Sequence, residues 1–452
     1  MLRAVGYAAC VVLAVAGIVA ADEELPRKGG RLGVRIAAIP DDVRAREKLR
    51  AGEGVLVEHV LPETSAAHAG LRAGDLLLTL DGRAIDSVPT FLETVPRMKA
   101  GQRVVFGVLR DARRLTMPVT LGPRPPDRGA SFDVLYRHVV SKGARIRTIV
   151  TRPHAPGRHP ALVLIQGLGP STIDEPLGGR SAYRRILSAF AEAGYVTVRV
   201  EKPGIGDSEG GPYADMDLAG ELDVYRQALL ALGAMEFVDR DHVFVFGHSI
   251  GGVFAPLLAA EIPLRGVLVY GTVVKSWAEH VLENTRRQAA LGGSKPASID
   301  STVTALGIVM QDLFIDGKTT NEVARTRPHL RGVVDRFFPD GRMYGRVLRF
   351  WIQLHRTDLA AAWTKVDTDV LVMWGRHDFI ATEDDHPRIA AIVEKARPGR
   401  STYVAVDGAD HGFPRTASVE DSFRRWGTPG ADISTTMVTT MKAWTEKVRH
   451  AR

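Results

Sequence analysis

Hydrophobic and polar positions divide the chain into two patterns. From residue 130 to residue 452, short apolar runs alternate with longer stretches of helical period. Residues 132–139 and 144–151 predict strands. Residues 160–165 form an unbroken apolar run, which predicts a strand covered on both faces. Further strands are expected over 195–200, 243–246, 264–270, 368–374 and 401–406. Helices are expected over 180–194, 217–233 and 434–449. This alternation predicts an α/β domain on a doubly wound, mostly parallel sheet. Residues 273–365 interrupt it. They read as mainly helical, with Trp277, Val281, Leu306, Val309, Leu313, Phe350, Trp351 and Leu354 as apolar anchors. An insertion there predicts a helical cap over the carboxyl ends of the strands.

Residues 30–122 carry shorter elements. Strands are predicted to begin at 31–36 and to follow over 55–60, 76–80, 104–110 and 114–121, with helices over 65–71 and 88–98. Asp81 with Gly82 is a hairpin signal. The pattern predicts a small β-rich α+β domain, interrupted by a charged insert at 40–54. The Pro- and Arg-rich run 123–129 predicts a stiff polar linker.

Residues 1–21 place Arg3 ahead of an apolar run and end on Val19, Ala20 and Ala21. A charged start, a short apolar core and small closing residues predict a signal peptide, with an uncleaved anchor as the alternative. The expectation is a bacterial periplasmic or secreted chain with no stable membrane span once the leader is removed. The one cysteine, Cys10, lies inside this leader, too early for a lipobox. The mature chain then has no disulfide, no cysteine nucleophile and no thiolate metal site.

With 45% hydrophobic and 25% charged residues over 452 positions, the composition is globular and long enough for two domains. The net charge of +7 comes from scattered arginines. A nucleic-acid partner is therefore not expected.

The candidate chemistry centres on Gly247-His248-Ser249-Ile250-Gly251, which fits G-x-S-x-G between a strand and a helix. A serine at the tip of so sharp a turn leaves no room for side chains two positions away. Gly247 and Gly251 remove them. A serine hydroxyl needs a base, and the base needs a third group to fix its tautomer. Asp378 and His411 each follow a predicted strand, in the chain order Ser, Asp, His. Ser249 is assigned as nucleophile, His411 as general base and Asp378 as the orienting acid. The amides of Leu168 and Ile250 are the expected oxyanion donors.

Other candidates have plainer readings. His248 is expected to point away from the reacting side. His377 reads as surface, and Asp410 as a turn cap. Asp384-Asp385-His386-Pro387 is superficially metal-like, but Asp as N-cap and Pro in the first turn predict a helix start. The run 201–210 lacks the glycine spacing of a dinucleotide fingerprint. No metal site and no cofactor are expected.

Two resemblances follow. Leu32-Gly33-Val34, Pro62 to Ala67, Ala69-Gly70-Leu71, Gly74-Asp75 and Asp81-Gly82 together resemble a PDZ domain of the HtrA-type proteases. This implies a groove where a peptide C-terminus adds as a strand, its carboxylate held near Leu32, Gly33 and Val34. The charged insert is placed to cover that groove, or the module only packs against the enzyme. Residues 130–452 resemble the α/β-hydrolase superfamily, nearest to serine esterases of the serine aminopeptidase and dienelactone hydrolase groups. The run from Gln166 to Glu175 is similar to a Gly-Ser-Gly-Pro loop, with Leu168 replacing Ser. Relatives often carry His-Gly where this chain has Gln166-Gly167. The resemblance implies that the loop at 201–210 buttresses the elbow. The expected activity is hydrolysis of a small-molecule carboxylic ester through an acyl-enzyme. The alternatives are a peptidase fed by the PDZ groove and a non-catalytic scaffold.

Overall fold

The structure, a computed structural model, describes residues 25–451 except 51, 89–90, 92–93, 96–97, 125, 171, 175–180 and 427–432. The predicted signal peptide and Cys10 lie outside the described residues.

The larger domain is organised on eight strands. They are β1 (Phe132–Ser141), β2 (Ala144–Pro153), β3 (His159–Ile165), β4 (Val196–Val200), β5 (Val238–His248), β6 (Gly266–Tyr270), β7 (Asp369–Gly375) and β8 (Ser401–Val406). Their spatial order is β8-β7-β6-β5-β3-β4-β2-β1. β2 runs antiparallel to β1 and β4, and the other pairings are parallel. The strands rest on a period of two with unlike residues on the two faces. Val163, Val245, Val267 and Val372 point into one core. Leu164, Phe246, Leu268 and Met373 point into the other. Both faces are apolar because helices cover both.

The helices that matter for the site are α1 (Ala182–Glu192), α2 (Leu218–Gly233), α3 (Gly251–Ala259), α4 (Trp277–Leu291), α5 (Pro296–Met310), α6 (Leu348–Arg356), α7 (Asp385–Ala396) and α8 (Thr435–His450). α1 and α8 cover the leucine and phenylalanine face. α2, α3 and α7 cover the valine face. Ser181 and Asp217 cap α1 and α2 by accepting the amides of Arg184 and Gly220. Pro256 lies inside α3, fully packed, so tertiary burial overrides its helix penalty of about 3 kcal/mol.

The residues between β6 and β7 form the cap, and all eight predicted anchors are buried in it. The ring of Trp351 stacks on Trp277 at 4.6 Å and 17°. Its Nε1 donates to the Met343 carbonyl at 2.8 Å. Among the described residues, Pro296–Ile315 is one helix long and apolar enough to cross a membrane. Its Leu306, Val309, Met310 and Leu313 are instead buried in the cap core.

The smaller domain has its strands in the order Val34–Ala37, Val55–Val60, Leu76–Leu80, Arg103–Arg110, Arg113–Thr120. Val34–Ala37 pairs on one side only, which leaves a sheet edge open. Val57, Leu77 and Phe106 face the main core with Phe91 and Val95. Alternation sends Leu76, Leu78 and Leu109 to the opposite face, where Ile39, Val43 and Leu49 cover them. The insert, helical over Asp41–Arg46, therefore packs beneath the sheet rather than over a groove beside Phe91 and Val95.

The run 123–129 is not a free tether. Gly122–Pro123 pairs with Gly30–Arg31, and Asp127 accepts Arg184 at 2.8 Å. Arg27 bonds Asp174 at 2.6 Å, and the Lys28 amide bonds Asp207 at 2.6 Å. Arg124 donates to the Asp174 carbonyl. Both ends of the small domain are fastened to loops of the large one.

Trp351→Ala removes a fully buried ring and the stacking partner of Trp277. Loss of about 3–5 kcal/mol is expected, read as a lower urea midpoint. An unchanged midpoint contradicts the cap packing described here.

Candidate active site

β5 ends at His248, and Ser249 follows with φ of +54°. This is the left-handed region, disfavoured for a side-chain-bearing residue and held here by its surroundings. The Ser249 amide bonds the Tyr270 carbonyl at 2.9 Å. A Cβ on Gly251 would lie 2.0 Å from the Ile165 carbonyl oxygen, and one on Gly247 would lie 2.6 Å from the Gly251 oxygen. The missing side chains let the first turn of α3 rest directly on the end of β3.

Ser249 Oγ is 3.0 Å from His411 Nε2, and His411 Nδ1 is 2.8 Å from Asp378 Oδ2. Asp378 and His411 are buried. The other oxygen of Asp378 accepts the amides of Ile380 and Ala381 at 2.7 and 2.8 Å. Burial opposes the Asp378 charge, but His411 and these amides outweigh it and hold the carboxyl below its ordinary value. The three side chains, far apart in sequence, form one hydrogen-bonded series at the carboxyl ends of β5, β7 and β8.

Their cavity has a volume of about 510 Å³. Leu168 and Ile250 line it, and neither backbone amide has a partner among the described residues. The neighbouring Gly167 amide is taken, since it donates to Tyr183 Oη at 2.8 Å. Gln166 is turned inward, its Nε2 donating to the Val200 carbonyl at 3.2 Å. The loop is thus tied to β4 by the Gln166 side chain.

His248 is buried beside His411, not turned to solvent. Its Nε2 lies 2.8 Å from the His411 carbonyl, and its Nδ1 lies 2.5 Å from Tyr183 Oη. A carbonyl only accepts, so Nε2 carries the proton and Nδ1 accepts from Tyr183. Burial, with His411 adding to it, drives the His248 imidazole down to about 3, so it stays neutral. Gly167, Tyr183, His248 and the His411 backbone form one continuous brace. Sequence reading missed Tyr183; nothing in the pattern of α1 separates it from a core aromatic.

A second brace was also missed. Lys202, buried at the end of β4, donates to the Gly167 carbonyl at 2.6 Å and to Tyr213 Oη at 3.0 Å. It pairs with Glu221 of α2 at 3.3 Å, and Glu221 also binds Arg346 from the cap. Burial raises the Glu221 carboxyl, but Lys202 and Arg346 outweigh it and hold it low. The loop at 201–210 therefore supports the Gly167 turn rather than the elbow itself. The reason is the position of Lys202, whose stem reaches back under β3.

Asp410 caps its own turn, accepting Gly412 N at 2.8 Å. His377 Nδ1 lies 3.0 Å from the Thr416 carbonyl and is half-buried. Asp384 begins α7 without a side-chain cap bond. Its neighbours do more. Asp385 accepts the Val274 amide at 2.9 Å, and His386 Nε2 accepts the Thr272 amide at 3.1 Å. Both are spent on the segment after β6 that leads into the cap. Among the described residues, no group of three or more His, Cys, Asp or Glu could hold a metal ion.

Residues 162–421, more than half of the chain, match the alpha/beta hydrolase family. The chain belongs to that family. Residues 30–121 match a PDZ domain. The periplasmic serine endoprotease DegP of Escherichia coli is 33% identical over 94 residues, which are 21% of this chain and 20% of that protein. The esterase EstD of Thermotoga maritima is 22% identical over 237 residues, 52% of this chain and 50% of that protein. This chain thus spans a fifth of the one and half of the other. Est1E from Butyrivibrio proteoclasticus, a solved structure, covers 70% of this alpha/beta hydrolase chain and 99% of its own, with 14% identity and a TM-score of 0.44. The chain is an alpha/beta hydrolase with esterase relatives and an N-terminal PDZ domain.

Glu201, behind the Gly167 turn, supplies a test of this packing. Burial pushes its carboxyl up from 4.5 to about 7, despite a bond from Thr172. Its Oε2 has no hydrogen-bond partner among the described residues. A folded value above the unfolded one means stability present below pH 4.5 and lost as pH rises to about 7. Glu201→Gln removes that loss. The variant is expected to gain on the wild type between these pH values, by on the order of 3 kcal/mol in total. Urea midpoints measured across the range check it, and a pH-independent difference contradicts it.

Proposed function

We propose that this chain hydrolyses uncharged carboxylic esters through a covalent acyl-serine. The observation that carries the reading is the series Ser249, His411, Asp378 at 3.0 and 2.8 Å, set in a cavity with no Asp, Glu, Lys or Arg on its wall among the described residues. Ser249 Oγ attacks the ester carbonyl while His411 Nε2 takes its proton. Asp378 fixes the imidazole tautomer and stabilises the imidazolium that forms. The Leu168 and Ile250 amides receive the negative oxygen of the tetrahedral adduct. Collapse expels the alcohol, which takes the proton from His411. Water then attacks the acyl-serine with His411 as base, giving the acid and free Ser249. These steps draw on no cofactor.

The uncharged wall favours an ester over an aminopeptidase substrate. A peptide N-terminus is an ammonium ion, and burying it without an anionic partner is costly. A peptide is better placed at the other domain. The open edge Val34–Ala37, with the turn Leu32, Gly33 and Val34 beside it, suits an added strand and its terminal carboxylate. Gly33, at φ +87°, is held under Thr64, which keeps this turn in one shape. The PDZ domain is read as docking a peptide or protein partner beside the esterase. The leader at 1–21, with a PDZ domain like that of a periplasmic endoprotease, supports an exported, periplasmic or secreted enzyme.

A fluorophosphonate probe is expected to label the wild type and not Ser249→Ala. His411→Ala abolishes labelling, and Asp378→Asn slows it by about 10²–10⁴ without unfolding the chain. Equal labelling of wild type and Ser249→Ala removes Ser249 from the mechanism. A chain that binds peptides but takes up no probe is the inert scaffold instead.

A further inference from the structure

The cap helix α4 turns one face to the cavity. Trp277, His280, Asn284 and Gln288 all line it, at spacings of three, four and four residues. That spacing is one stripe of a helix. Val281, on another face, is buried in the cap core. A cap helix over a purely apolar substrate needs leucines here. This one presents an imidazole and two amides, with the ring of Trp277 beside them.

These groups are poorly satisfied by the protein. His280 is 6% exposed and has no hydrogen-bond partner among the described residues. Asn284, also 6% exposed, uses its Oδ1 to accept Gln288 Nε2 at 2.8 Å, which leaves its Nδ2 without a protein partner. Trp277 Nε1 and Thr272 Oγ1, both buried, have none either. Burial pushes the His280 imidazole down to about 4, so near neutrality it offers one donor and one acceptor rather than a charge. Around this stripe stand flat apolar rings. Tyr344 lies 6.3 Å from Trp277, and Phe379 meets Trp426 edge-on at 5.3 Å.

Unpaired buried polar groups are costly, and a ligand that pairs them is favoured over one that does not. We infer that α4 selects esters with an aromatic group bearing a neutral oxygen, a hydroxyl above all, which bonds His280 and Asn284. A hydroxyl answers both kinds of group, since it accepts from Asn284 Nδ2 while donating its proton to the unprotonated ring nitrogen of His280. A carboxylate or an ammonium meets no opposite charge on the wall, and an unsubstituted ring leaves the stripe unpaired. This inference rests on the esterase reading for the identity of the ligand as an ester, and its test is built to fail separately.

The test uses the full chain carrying Ser249→Ala, so that binding is read without turnover. Methyl 3-phenylpropanoate, its three hydroxyphenyl isomers and its 4-carboxyphenyl analogue are titrated, with quenching of tryptophan fluorescence as the signal. At least one hydroxy isomer is expected to bind about tenfold tighter than the parent. That advantage is expected to fall below about twofold when Asn284→Leu or His280→Phe is added, while the parent binds at least as tightly as before. Retained binding of the parent shows that each variant is folded. Equal binding of parent and hydroxy esters, an advantage that survives both substitutions, tighter binding of the carboxylate, or no measurable binding overturns the inference. In parallel, wild-type turnover of the same esters reports on the esterase reading alone. Absent turnover with an intact binding preference removes the chemistry and keeps the specificity stripe.

Discussion

The structure depends on a close approach between two pieces of backbone. The first turn of α3 lies against the carbonyl of Ile165 at the end of β3, at a distance only glycine permits at position 251. That contact aims Ser249 out of the sheet with φ of +54°. It also brings the Ile250 amide onto the same cavity wall as Leu168. The Ser249 hydroxyl and the Ile250 amide are therefore placed by one steric fact. A side chain at Gly251 has no rotamer to escape into, because the clash is with main chain.

Around this point the protein builds rigidity from buried polar groups rather than from apolar packing alone. One brace runs from the Gly167 amide through Tyr183 and His248 to the backbone of His411. Another runs from the Gly167 carbonyl through Lys202 and Glu221 to Arg346 in the cap. Both start at the turn that carries Leu168. Asp174, further along the same loop, is gripped by Arg27 and Arg124 from the two ends of the PDZ domain. The loop is thus held from beneath, from the cap and from the neighbouring domain. Such networks are worth having only when nearly every member is satisfied. Among the described residues, buried atoms left without a hydrogen bond include Glu221 Oε1 and Arg346 Nε in the second brace, two nitrogens of Arg27 beside Asp174, and Glu201 Oε2.

Most of the sheet was legible in the sequence. The unbroken apolar run 160–165 stands within a residue of β3, because a strand covered on both faces leaves little ambiguity of period. The elbow was legible because it is local: one strand, one turn and one helix in six residues. Asp378 and His411 were legible only through chain order and their places after strands, and the distances had to come from the fold. What sequence could not supply was the partnering of lone polar residues. Nothing local around Tyr183, Lys202, His248 or His280 states whether each meets a carbonyl, a carboxylate or an empty cavity. The insert at 40–54 misled for a related reason. Its charges suggested a surface cover, whereas Val43 and Leu49, with Ile39 just before it, were its working residues.

The central claim is that Ser249 carries the acyl group between two half-reactions. The most direct measurement is peptide mapping by mass spectrometry after acid quench of the wild-type chain during turnover of 4-nitrophenyl acetate. The account predicts an acetyl group on the peptide containing Ser249, formed within the burst of nitrophenol and lost as substrate runs out. Steady nitrophenol release with no acyl adduct there, or with the adduct on another residue, contradicts it.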